Sequence, residues 1–348
     1  MNPDPNGADQ RPVAPESPLR DGLAGVGHFG QRHANVLAHL PGVELAALAD
    51  PDAACLARVT DRYGVAARHG DALSLIKDEP LDAVILATPD GQHAAQARAA
   101  LARGRHLFVE KPLASSWQEA RDLQQLAVRS GVLLQTGLLL RYEPVHRRLQ
   151  QQIAARELGA LVSIRAQRNC SRRSFAAIAD RIHTVHRTLI HDIDLLLWLS
   201  GSRVTSVVAL EYRQGQHLAP QGCFALLRLA DGSVAQLESS LTVPDHLQGR
   251  HGGINAELAV VGSERTARIE GATLELWPLC DGRVGGALRE QLADFCACVR
   301  NGQPSQVADL DTAVEALRIA EAVIEAGRKG GVVPLSPRVD LPAGRPRC

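Results

Sequence analysis

Between Leu23 and Pro112, short apolar runs alternate with longer, alanine-rich stretches of helical periodicity. The runs are Gly22–Val26, Val43–Ala49, Ala83–Ala87 and His106–Val109, each about the length of one buried strand. Between them Gln31–His39, Ala53–Tyr63, His93–Ala102 and Ser116–Ser130 read as helices. A strand followed by a crossover helix returns the chain to the same edge, so this rhythm predicts a parallel sheet covered by helices. One more run, Val132–Gln135, closes the unit at Thr136-Gly137.

After about residue 160 strand-like segments follow one another: Leu161–Gln167, Val204–Tyr212, Cys223–Leu229, Ser233–Leu241, Ala256–Val261 and Thr266–Leu274. Asp231-Gly232 between two of them is a hairpin signal. Successive strands without helices between them favour a large, mostly antiparallel sheet. The helix Leu189–Leu199 precedes most of it, and Leu288–Arg300 and Leu310–Arg328 follow. The expectation is an α/β protein with a dinucleotide-binding unit over 21–137 and a second α/β domain over 138–335, which carries the substrate and oligomer contacts. Residues 1–20 hold five prolines and almost no large apolar side chain, which predicts a disordered tail, and 336–348 form a second tail.

The 38 basic and 38 acidic residues balance, so no global field draws in nucleic acid or an anionic membrane. No window approaches the roughly 20 apolar residues that span a bilayer. The seven cysteines are odd in number and scattered without C-x-x-C spacing, which reads as reduced thiols packed in a cytoplasmic protein without a metal site. These features point to a small-molecule substrate.

The chemistry begins at Gly25-Val26-Gly27-His28-Phe29-Gly30, a G-x-G-x-x-G loop between an apolar run and a helical pattern. Asp50 follows twenty residues after Gly30, at the end of the next strand. This is the fingerprint of a Rossmann domain. One glycine makes the turn, one lets backbone approach a pyrophosphate and one packs helix on strand, while the acid meets the ribose hydroxyls. No arginine stands at 51–54 to welcome a 2′-phosphate, so the expected cofactor is NAD rather than NADP.

Three further motifs are Thr88-Pro89-Asp90-Gly91-Gln92-His93, Glu110-Lys111-Pro112 and Ile190-His191-Asp192-Ile193-Asp194. In this order, with the glycine loop, they make the chain resemble the Gfo/Idh/MocA oxidoreductases over about residues 21–335. The resemblance implies that Thr88, Pro89 and His93 line the cofactor together with Gly25, Gly27, His28, Phe29, Gly30 and Asp50. It implies that Glu110 and Lys111 bring a lysine to the nicotinamide, and that His191 faces this lysine from the second domain. Arg141-Tyr142-Glu143-Pro144 is similar to the family's junction stretch. The implied activity is hydride transfer to or from a secondary alcohol or ketone of a sugar, cyclitol or related polyhydroxy compound. Lys111 and His191 are the expected proton-transfer residues, and a homodimer or homotetramer is the expected assembly. Other members of the family use NAD for transient oxidation in glycoside cleavage, or keep the fold only to sense NAD or a sugar.

Where the family usually places an aspartate, four residues before the histidine, this chain has Arg187. Residues 165–191 carry six arginines and three histidines against the single acid Asp180. If several point inward, the site wants an anion, and Arg187, His186, Arg168 and Tyr142 are the expected substrate contacts. Asp192 and Asp194 are expected to complement a helix N-terminus.

Overall fold

A computed structural model describes residues 17–176, 178–244, 255–270 and 278–336. The first strand, β1 (Leu19–Ala24), starts two residues inside the expected tail. Leu19 and Arg20 pair with Val43 and Glu44, and the Arg20 guanidinium grips Glu44 at 2.9 and 3.0 Å. Residues 1–16 of that tail, and 337–348 of the other, lie outside the described residues.

The first unit continues as α1 (Gly30–Leu37), β2 (Val43–Ala49), α2 (Ala53–Tyr63), β3 (Ala67–His69), α3 (Ala72–Asp78), β4 (Ala83–Leu86), α4 (His93–Ala102), β5 (His106–Glu110), α5 (Trp117–Ser130) and β6 (Leu134–Gly137). Its six parallel strands run in the order β3-β2-β1-β4-β5-β6. Leu23, Leu48, Ile85 and Phe108 face α1 and α2, while the alternate residues Ala24, Ala47, Val84, Leu86 and Leu107 face α3, α4 and α5. Burial on both faces explains the unbroken apolar runs. β3 and α3 are the elements the sequence pattern did not signal, since a three-residue strand is too short to show alternation.

The second unit comprises α6 (Pro144–Ala154), β7 (Leu161–Ser171), α7 (Arg172–Ala176), α8 (Ile190–Ser200), β8 (Val204–Tyr212), β9 (Gly222–Leu229), β10 (Val234–Val243), β11 (Asn255–Gly262) and β12 (Thr266–Glu270). A hairpin of β13 (Leu279–Cys280) and β14 (Arg283–Val284) follows, then α9 (Gly286–Asn301), α10 (Leu310–Lys329) and β15 (Val333–Pro334). The end of the expected strand Thr266–Leu274 falls at 271–274, outside the described residues. The seven-stranded sheet has the order β12-β11-β7-β10-β9-β8-β15 and is mostly antiparallel, with β7 and β10 its parallel pair among the described strands. Helices α8 and α10 cover one face through Ile193, Leu196, Leu317 and Ala320.

The expected division at 137/138 does not hold for α9. Its apolar side, Leu288, Leu292, Phe295, Cys296 and Val299, is buried with Leu23, Val36, Leu37 and Phe108 of the first unit. Asn35 completes this docking by donating to Gly282 O at 2.9 Å and accepting from Val284 N at 2.7 Å. The chain thus returns to the first unit and ties the two together.

Beneath α9, Asp21 is fully buried on β1, and Cys296 Sγ donates to its Oδ2 at 3.6 Å while Oδ1 has no partner. Burial pushes its carboxyl up to about 7 from an ordinary 3.8. A carboxyl raised in the fold favours the neutral form, so it costs stability progressively as pH rises from about 4 to about 7, and the cost persists above that. Asp21→Asn is therefore expected to raise the melting temperature at pH 8 and to change it little at pH 4.5, in paired thermal melts.

Candidate active site

At the end of β1 the chain turns sharply. Gly25 has φ +87°, and a Cβ there would lie 2.5 Å from Ala87 O. A Cβ on Gly30 would lie 1.9 Å from Gly25 O, so this glycine is what lets α1 sit against the turn. Gly27 is different: it is exposed, and a Cβ there would meet nothing within 4 Å. The space over it is open, and no side chain caps the start of α1. Asp50, at the end of β2, accepts from Val26 N at 2.8 Å and from Asp52 N at 2.9 Å, which ties its carboxylate to the same loop. His28 is exposed beside it, and Phe29 packs edge-on against His33 with ring centroids 5.2 Å apart.

Two loops at the ends of β4 and β5 lie beside this turn. His93 is buried, its Nδ1 2.8 Å from Pro112 O and its Nε2 2.9 Å from Thr88 O. Both contacts are to carbonyls, so His93 staples the Thr88-Pro89 loop to the Lys111-Pro112 loop and presents no free nitrogen to a cofactor. The expectation for Glu110 needs a similar correction. Its Oε1 lies 2.8 Å from His33 Nε2 inside the core, and its Oε2 accepts from Lys111 N at 3.2 Å. Glu110 links α1 to β5 and fixes the backbone of the next residue, instead of touching a cofactor.

Lys111 reaches across to the second unit, where its Nζ donates to Arg187 O at 2.9 Å. Arg187 lies in a π-helical turn, Val185–Leu189, inserted directly before α8. Such turns break the regular hydrogen-bond ladder and recur at functional sites. Burial, and next the Arg187 charge, push the Lys111 amine down to about 7 from an ordinary 10.5. His191, at the start of α8, has a buried, unpartnered Nδ1. Burial and the positive charges of Lys111, Arg168 and Arg187 hold it well below the usual imidazole range, so it is neutral. His186, on the same turn, has a buried Nε2 without a partner and is held at about 4, chiefly by burial.

The basic segment resolves into distinct roles. Arg168 is buried and bidentate on Asp192, at 3.0 and 2.8 Å. Arg141, fully buried, grips Asp194 at 3.0 Å or less and also donates to Val307 O and Asp309. Asp192 and Asp194 therefore anchor two arginines instead of complementing a helix end, and Arg168, its charge matched by Asp192, is not a free cation for a substrate. Arg165 pairs with Glu257, and Arg181 pairs with Asp90 across the two units. Tyr142 is buried away from solvent: its hydroxyl donates to Asp294 at 2.5 Å, and it packs with Ala287 and Ala308, which leaves it no place as a substrate contact. Arg187 is left with an exposed side chain and no carboxylate partner among the described residues. No group of His, Cys, Asp and Glu suited to a metal occurs among the described residues.

Residues 19–138 match the model of an oxidoreductase family with an NAD-binding Rossmann fold, and residues 146–268 match the GFO/IDH/MocA C-terminal domain. The chain is 30% identical over 318 residues to the rhizopine catabolism protein MocA of Rhizobium meliloti, covering 88% of this chain and 94% of that one. It is 26% identical over 336 residues to an NAD(+)-dependent scyllo-inositol 2-dehydrogenase of Bacillus subtilis, 92% of this chain and 97% of that one. A crystal structure of myo-inositol 2-dehydrogenase from Lactobacillus plantarum shares the fold, with a TM-score of 0.80 at 23% identity, covering 92% of this chain and all of that one. The chain belongs to the Gfo/Idh/MocA family.

As a Gfo/Idh/MocA protein it is an NAD-binding oxidoreductase, and its glycine loop fits that cofactor. Any side chain at Gly27 would occupy the open space where a pyrophosphate must approach backbone, and the uncapped start of α1 favours an anion there. Gly25, Gly27, Gly30 and Asp50 would hold NAD, with Thr88 and Pro89 alongside. A carboxylate at Asp50 would accept from ribose hydroxyls and would repel a 2′-phosphate. NAD is therefore expected to bind at least about tenfold more tightly than NADP. Asp50→Asn, which keeps an acceptor for Val26 N, should narrow that ratio in calorimetric titrations, and an unchanged ratio would remove Asp50 from the cofactor site.

Proposed function

We propose that the chain oxidises a secondary alcohol of a cyclitol, sugar or related polyhydroxy compound, or reduces the matching ketone, with Lys111 as the proton-transfer residue. The observation that carries this reading is the position of Lys111 where the two units meet, its Nζ 2.9 Å from Arg187 O and its amine pushed down to about 7. NAD, when bound, supplies the hydride acceptor. The free Lys111 amine takes the hydroxyl proton as the C–O bond becomes a carbonyl, and the ammonium returns it in the reverse direction. Neutral His191 serves as a hydrogen-bond partner for a substrate hydroxyl, and the Arg187 carbonyl holds the lysine head in place.

The relatives named above that span most of the chain include an inositol dehydrogenase, which supports net oxidation over glycoside cleavage or sensing. The outer face of the large sheet exposes Val208, Leu210, Phe224 and Leu226, with Leu210 opposite Phe224 and Val208 opposite Leu226. A continuous apolar patch of this kind supports a homo-oligomer built sheet to sheet. No helix among the described residues is long and apolar enough to cross a membrane, and the described cysteines are free, which fits action in the cytoplasm.

A screen of cyclitols and sugars for NAD reduction at 340 nm tests the reaction. On the substrate it finds, Lys111→Ala is expected to lower kcat by a factor on the order of 10² or more while NAD affinity is retained. Oxidation requires the free amine, so its rate should rise with pH through about 7, and the reduction rate should fall over the same range. Unchanged turnover in Lys111→Ala would exclude the lysine as the proton carrier.

A further inference from the structure

One guanidinium beside Lys111 has no carboxylate of its own among the described residues. The Lys111 amine, the guanidinium groups of Arg168 and Arg187, and neutral His191 meet at the start of α8. Of the neighbouring carboxylates, Asp192 is paired with Arg168 and Asp90 with Arg181, while Glu110 is hydrogen-bonded to His33 and to its neighbour's backbone N–H and acts on Lys111 through its charge. Of the Arg168 and Arg187 guanidinium groups, Arg187 keeps an exposed one without a partner among the described residues, one residue from Thr188, whose hydroxyl is buried against Thr184 O and Ser239. Its backbone is fixed at the site by the Lys111 hydrogen bond and by its own N–H, which donates to His183 O at 3.0 Å.

Resting on the hydride-transfer reading, we infer that Arg187 is a specificity-determining residue and that the substrate is a carboxylated polyhydroxy compound, a sugar acid, whose carboxylate pairs with the Arg187 guanidinium. A neutral cyclitol would leave the Arg187 guanidinium beside Lys111 with only solvent as its partner. A carboxylate supplies a matching fork of two acceptors and one negative charge. A phosphate dianion fits less well, because the charge of the second fixed cation, Arg168, is already matched by Asp192. Pairing also has a consequence for Lys111. Arg187 is one of the charges that hold its amine low, so neutralising Arg187 raises the proton affinity of the group that must accept the hydroxyl proton.

The test uses the full-length protein loaded with NAD. Calorimetry compares D-glucuronate, D-galacturonate and D-gluconate with D-glucose, D-galactose and D-glucitol, and with D-glucose 6-phosphate. At least one acid is expected to bind tenfold or more tightly than its neutral counterpart. Arg187→Ala should cut that acid-to-neutral ratio by about tenfold, and Arg187→Lys should restore part of it, as a charge without the fork. The inference is overturned if no acid binds, if neutral compounds or the phosphate ester bind as tightly as the acids, or if the ratio survives Arg187→Ala. Absorbance at 340 nm with the same compounds separates the two claims. NAD reduction with neutral compounds alone sinks the inference and keeps the proposed function; acid binding through Arg187 without any NAD reduction does the reverse.

Discussion

Two guanidinium groups buried against two carboxylates of one helix set the geometry on which the site depends. Arg141 leaves the first unit at the junction and meets Asp194 of α8, while Arg168 rises from β7 to meet Asp192. His191 stands immediately before this pair of acids, so both clamps act on the turn that presents it. Removing one partner of such a pair leaves an uncompensated buried charge and costs about 3–5 kcal/mol, which restricts α8 to one placement. The same placement brings the π-helical turn, and with it the Arg187 carbonyl, to Lys111.

The first unit prepares the other half of the contact. His33 on α1 and Glu110 on β5 are 77 residues apart, and their buried pair holds the glycine loop's helix and the lysine's strand in register. His93 fixes the two loops beside it through Thr88 O and Pro112 O. None of these groups faces a reactant. Together they aim one lysine from the first unit at one turn of the second, and desolvation there turns an ordinary surface cation into an amine poised near neutrality.

Much of this was legible in the chain. Unbroken apolar runs gave the parallel sheet, successive strands gave the second one, and the glycine loop with Asp50 marked where a dinucleotide would sit, because local spacing carries that chemistry. What escaped were relations between distant elements. Nothing in the periodicity of 286–301 says that α9 packs on the first unit, since an amphipathic helix looks the same whichever core receives it. A dense run of arginines likewise cannot show which are neutralised. Arg168 and Tyr142 looked like substrate contacts until Asp192 and Asp294 were found beside them. Arg187 stood out for the opposite reason, as the arginine of that run at the lysine with no carboxylate beside it.

The chain has only three lysines, Lys77, Lys111 and Lys329, which makes the central claim directly measurable. In cofactor-free protein labelled with carbon-13 at the lysine ε position, a pH titration by NMR resolves each amine, and Lys111→Ala identifies the signal of interest. That signal is predicted to titrate with a midpoint near 7. A midpoint at the ordinary lysine value of 10.5 would contradict the account, because the junction would then be leaving Lys111 as a solvated cation.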